Sequence, residues 1–162
     1  MQSRRGDATT GATTAGEAWQ VRIYQEIGAA EARLAIDVIF AELTHRQKAA
    51  AIVVADSHGE VVASLRMDGV QFSCVGIATN KAFTAARQRE PSGNIGRSIR
   101  ADGWDIQNLA DPRFTGWDGG VPVIVDGETV GAVAVSGLTG EEDVEMAELA
   151  AARIRDGGAS KG

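Results

Sequence analysis

The sequence contains one cysteine, Cys74, and two histidines, His45 and His58, among 162 residues. A single thiol excludes an internal disulfide, and with only two imidazoles beside it a thiolate-rich zinc site is excluded as well. No apolar run approaches the roughly 18 residues of a membrane span. Positive charge is in short supply: Lys plus Arg is 16 against 22 for Asp plus Glu, a formal charge of −6. Such a chain is poorly suited to clamping a phosphate backbone, which depends on Lys and Arg displacing counterions. Arg4 and Arg5 are followed by no apolar stretch, so the start does not read as a secretory signal. Familiar catalytic patterns are missing too, among them Gly-x-Ser-x-Gly and His-Glu-x-x-His. These absences describe a soluble, cytoplasmic protein without nucleic-acid or membrane partners.

Residues 1–17 hold no large apolar side chain after Met1 and read as a disordered tail, as do residues 157–162. One domain is left between them, over 18–156. Trp19, Val21, Ile23 and Ile27 alternate with polar residues, which predicts a leading strand. From Ala29 the period lengthens, and a helix is expected to end near His45. Residues 50–55 and 60–67 form a hairpin about Asp56-Ser57-His58-Gly59, with His58 at its exposed tip. Val70, Cys74, Ile77, Lys81 and Ala85 mark one stripe of a second helix, which reads Cys74 as a small buried hydrophobe. Residues 91–120 are irregular and rich in Gly and Pro, a length that points to function or to partial helix. Asp126-Gly127 then turns a second hairpin, and Thr139-Gly140-Glu141-Glu142 is a capping box opening a last helix. The order predicts an α+β sandwich: one five-stranded, mainly antiparallel sheet with helices on both faces.

Candidate site residues fall into three groups. Arg97 and Arg100 stand in the irregular stretch with Trp104 and Trp117 close by. Guanidinium forks bind carboxylates and indoles offer flat walls, so a flat carboxylated ligand suits them. Arg66, Asp68 and Lys81 form a second group, with Arg66 and Asp68 placed to pair across Met67. Ser136, at a strand exit before Gly137, brings a hydroxyl to the end of the sheet. One reading is a ligand-binding module with arginines on the acid groups and Trp104 stacked on the ring. The alternative is a cofactor-free lyase, isomerase or hydrolase acting on a small carboxylated metabolite. There Asp68 or Asp143 is the base, and the amides of Gly119 and Gly120 hold an oxyanion. A non-catalytic assembly subunit is a third reading.

Five blocks in register carry a family resemblance. Val53-Val54-Ala55-Asp56-Ser57-His58-Gly59 with Leu65-Arg66-Met67-Asp68-Gly69 is similar to the signature of the GlcG/HbpS family of haem-binding or haem-degrading-like proteins. Asn80-Lys81-Ala82-Phe83-Thr84-Ala85, Gly119-Gly120-Val121-Pro122-Val123 and Gly131-Ala132-Val133-Ala134-Val135-Ser136-Gly137 follow in order, and Asp143 matches the acidic start of the last helix. The resemblance covers about residues 28–152. It implies a profilin-like α/β/α sandwich, a homo-oligomer and, for some members, haem or another tetrapyrrole as ligand. Related domains include the C-terminal domain of PduO-type proteins. Thr84 is the position it singles out near the ligand; no iron ligand and no metal site carry over. Ala134 in place of a glycine and the Arg- and Trp-rich stretch 96–118 depart from the family pattern.

Overall fold

The computed structural model describes residues 21–159, as four helices, one short 3₁₀ turn and four strands. In chain order these are α1 (Ala29–His45), β1 (Ala51–Asp56), β2 (Val61–Arg66), α2 (Ser73–Gln88), α3 (Gly93–Asp102), the 3₁₀ turn (Ile106–Leu109), β3 (Gly120–Val125), β4 (Glu128–Ser136) and α4 (Gly140–Ala159). The strands form one antiparallel sheet in the order β2-β1-β4-β3.

Alternation along β1 explains the layers. Ile52 and Val54 point to one face, where they pack with Val133 and Val135 against α1 and α4. Ala51, Val53 and Ala55 point to the other face and meet Cys74, Ala78 and Ala82 of α2. That second face is lined by small residues on both sides, so α2 lies close to the sheet. At Gly120 the approach is closest: a Cβ there would lie 2.3 Å from the carbonyl oxygen of Lys81. This contact fixes where along the sheet Lys81 sits.

Both hairpins form at the expected turns. The Asp56 carboxylate accepts from the amides of His58 and Glu60, at 2.8 and 3.0 Å, and so closes the first. Asp126 and Gly127 take positive φ in the second. The capping box also forms: Glu142 N donates to Thr139 Oγ1 at 3.3 Å, and Thr139 N to Glu142 Oε2 at 3.4 Å. Thr139→Ala is expected to cost about 1 kcal/mol and lower Tm by about 2–4 °C. A thermal melt checks this, and an unchanged Tm would contradict it.

Three expectations are corrected. The leading strand is not formed over residues 21–27, and Trp19 lies outside the described residues. The segment reaches the sheet at one rung, Ile27 N to Val130 O at 2.8 Å, while Val21 and Ile23 are 92% and 95% exposed. β1 already pairs with β4 from Gly131 to Ser136, so only the start of β4 is open to the leading segment, and the one rung forms at Val130, where the β3–β4 register shifts. The sheet accordingly has four strands among the described residues rather than five. At the other end α4 runs through Ala159, into the tail expected over 157–162. The tail expected over 1–17 and residues 160–162 lie outside the described residues. Within 91–120, α3 and the 3₁₀ turn take up just under half of the stretch, in keeping with the expected partial helix.

Candidate functional site

A cleft of about 720 Å³ opens on the α2 side of the sheet, within the roughly 300–1,000 Å³ of small-molecule sites. One wall is the stripe that runs from Val70 into α2: Val70, Cys74, Ile77 and Lys81 all line it. Opposite stand Arg100 from the last turn of α3 and the segment Gly116, Trp117 and Asp118. Ser136, Gly137 and Leu138, where β4 gives way to α4, close one end together with Asp143.

A buried ion pair lies against this space. Lys81 Nζ is 2.7 Å from Asp143 Oδ2 and also donates to the carbonyl of Val135 at 3.0 Å. Asp143 Oδ1 accepts from Leu138 N at 3.2 Å. The two side chains are 2% and 4% exposed. Burial pushes the Asp143 carboxyl above the usual aspartate range, while the Lys81 ammonium and the Leu138 amide pull the other way. Gly119 makes room for the pair. Its φ is +118°, and a Cβ there would lie 2.8 Å from Lys81 Nζ and 2.7 Å from Asp143 Cβ.

Two further groups at the cleft are uncommitted. Ser136 is 4% exposed overall, and its hydroxyl makes no hydrogen bond with any described residue. Arg100 is exposed and forms no ion pair among the described residues. Trp117, 66% exposed, supplies an indole face.

Of the residues anticipated from sequence, Lys81, Asp143, Ser136 and Arg100 thus come together. Gly119 and Gly120 sit behind them, but Gly120 N already donates to Ser92 Oγ at 3.0 Å. The others are placed elsewhere. Arg97 binds Asp118 at 2.9 Å and Asn94 at 2.8 Å, so it holds a wall of the cleft instead of facing into it. Trp104 donates its indole N–H to Ser98 Oγ at 3.0 Å and packs on α3. Thr84 is fully buried, its hydroxyl accepting from Thr115 N at 3.0 Å. Arg66 stacks over Phe72 at 4.4 Å and donates to Val70 O, so the expected pair with the exposed Asp68 is absent among the described residues. Trp117, expected to offer an indole wall, does line the cleft, whereas Asp118 and the cleft-lining role of Cys74 were not assigned from sequence. The helical stripe that names Cys74 was the available signal, since three of its members share the cleft wall with it.

Fold and cleft together define a three-layer α+β protein with a ligand-sized cleft between one helix layer and the end of the sheet. The chain belongs to the family described as haem degrading protein HbpS-like, matched over residues 27–152. Escherichia coli K12 protein GlcG is 40% identical over 91 residues, which is 52% of this chain and 62% of GlcG's own length. Among solved structures, Klebsiella pneumoniae protein ORFY superposes with a TM-score of 0.75 at 27% identity, covering 86% of this chain and 95% of that one. The PduOC:heme complex gives a TM-score of 0.72 at 18% identity, over 78% and 94% of the two chains. None of the described helices is long and apolar enough to cross a membrane.

Proposed function

We propose that this protein is a small-ligand-binding module whose cleft takes a flat, carboxylated ligand, with a tetrapyrrole of the haem type as the first ligand to test. The observation that carries the reading is the cleft itself. Its rim presents a guanidinium, Arg100, with no ion pair among the described residues, beside an exposed indole face, Trp117. Arg100 suits a propionate and Trp117 suits the face of a macrocycle. The haem-bound PduOC structure, which shares the fold, supports trying haem first.

The lining residues also accommodate an iron centre. Cys74 is the one thiol on the cleft wall, and no His, Met or Tyr among the described residues lines it. Thiolate is an established axial donor to haem iron, so Cys74 is the residue that would hold the metal. Thr84 would need to give up Thr115 to reach the ligand. Bound haem would supply a redox-active iron and a strong visible absorbance.

Titration of the purified protein with haemin tests the reading. A saturable Soret shift at one haem per chain is expected. Arg100→Ala should weaken it about tenfold, the scale of one charge-assisted contact. Cys74→Ala should move the Soret maximum. No shift beyond a free-haemin control would remove the tetrapyrrole from the proposal.

A further inference from the structure

The end of the cleft at Ser136 carries hydrogen-bonding capacity that the folded chain leaves unused. An ammonium has three donors. Lys81 directs two of them at Val135 O and Asp143 Oδ2, which leaves the third for the cleft that the residue lines. The Ser136 hydroxyl, on a residue 96% buried by its 4% exposure, is likewise without a partner among the described residues. No fully buried side-chain nitrogen or oxygen among the described residues lacks a partner, so the Ser136 hydroxyl is within reach of the open cleft. Two donors that line one space can both be accepted by a single atom placed between them.

The charge on each group decides what kind of acceptor. Asp143 already balances Lys81, so the floor as a whole is electrically close to neutral. A carboxylate placed there would meet the Asp143 carboxylate as well as the ammonium. An uncharged oxygen with two lone pairs accepts from both donors without that repulsion, and a carbonyl oxygen is such an atom. The unbalanced positive charge belongs instead to Arg100, across the cleft on α3.

We infer that the ligand of this cleft is an oxo acid, its carbonyl oxygen received by Ser136 and Lys81 and its carboxylate by Arg100. The inference rests on the cleft being the ligand site and names the chemical class that enters it. Trp117 adds a flat wall for an apolar or aromatic remainder. Asp143 acts as a positioning residue that keeps the Lys81 side chain aimed.

A matched pair of probes isolates the carbonyl. Benzoylformate and phenylacetate share a benzene ring and a carboxylate, and neither enolises readily; only the first has a ketone between them. Calorimetric titration is expected to show benzoylformate binding at least about tenfold more tightly, the scale of a satisfied buried hydrogen bond. Ser136→Ala should cut that preference severalfold while leaving phenylacetate affinity unchanged. Arg100→Gln should weaken both acids in parallel. Equal affinities, no binding of either acid, or a preference untouched by Ser136→Ala would overturn the inference. Haemin titration beside it separates the two proposals. Haemin binding without the ketone preference leaves the tetrapyrrole reading standing and ends this one. Ketone preference without haemin binding does the reverse.

Discussion

Lys81→Met is expected to lower the unfolding free energy by about 3–5 kcal/mol, because it leaves a buried carboxylate without its counter-charge. Asp143 is 3% exposed, and its remaining partner is the single amide of Leu138. The loss comes from the orphaned charge, not from an intrinsic strength of the pair. Removing both charges, as in Lys81→Met with Asp143→Leu, should therefore recover most of the loss. The sign of the pH dependence follows from the direction in which burial moves Asp143. A carboxyl raised above its unfolded value binds its proton more tightly in the folded state. Its favourable contribution is complete below about pH 4, where an unfolded aspartate titrates, and is lost as pH rises through the folded value. Lys81 opposes that rise in the native protein, so its removal steepens the trend. Urea unfolding at pH 7.5 and pH 5 should then show a smaller deficit for Lys81→Met at the lower pH. A deficit of equal size at both would show that the Asp143 charge is not its source.

What the sequence made legible depended on how local the cause was. The two hairpins were readable because Asp56 to Gly59 and Asp126-Gly127 set their own turns. The last helix was readable because Thr139 and Glu142 cap each other across three residues. Helix α3 was not, since Gly93 and Gly96 look like loop residues. Their reason is tertiary: a Cβ on Gly96 would lie 2.3 Å from Gly116 O, so the glycines let the 116–118 segment close over the helix. The alternation before Ala29 was a true pattern that met the sheet at a single rung, because β1 already occupies that edge of β4 from Gly131 onward.

The site divides along the same line. Arg97 and Trp104 attracted notice as a cation and a ring in one glycine-rich stretch, yet neighbours three and six residues away engage them. Lys81 and Asp143 are 62 positions apart, and nothing in the spacing announces their bond. The family blocks put both residues in view, and the close seating of α2 on Gly120 shows how they meet. Ser136 was visible as a hydroxyl at a strand exit; that it lines the cleft with no hydrogen bond among the described residues emerges only from the packed structure.

Phe83→Ala should produce a loss of similar size, about 3–5 kcal/mol, for the opposite reason: a large apolar group is removed from a packed site. The ring is 1% exposed. Arg113 covers it at 3.9 Å, and Phe114 meets it edge-on with centroids 5.1 Å apart. The backbone of Gly59 sits so close that a Cβ there would lie 2.9 Å from the ring. Phe83 therefore joins α2 to the first hairpin and to the segment that starts at Asp111. The same segment continues through Thr115, tied to Thr84, to Trp117 and Asp118 at the cleft. Truncation should accordingly loosen the cleft wall as well as the core. Hydrogen exchange at the Thr115 amide is expected to accelerate in Phe83→Ala under conditions where the protein remains folded. Phe83→Leu keeps most of the buried volume and gives up the ring face under Arg113, so its deficit should be smaller, about 1–2 kcal/mol. If Phe83→Ala unfolded within about 1 kcal/mol of the parent, the site would have to collapse around the missing ring, a response at the low end of what packed interiors show. The Arg113 guanidinium makes that collapse difficult: it is anchored to Asp111 and Glu60 and cannot follow the retreating surface without breaking those pairs.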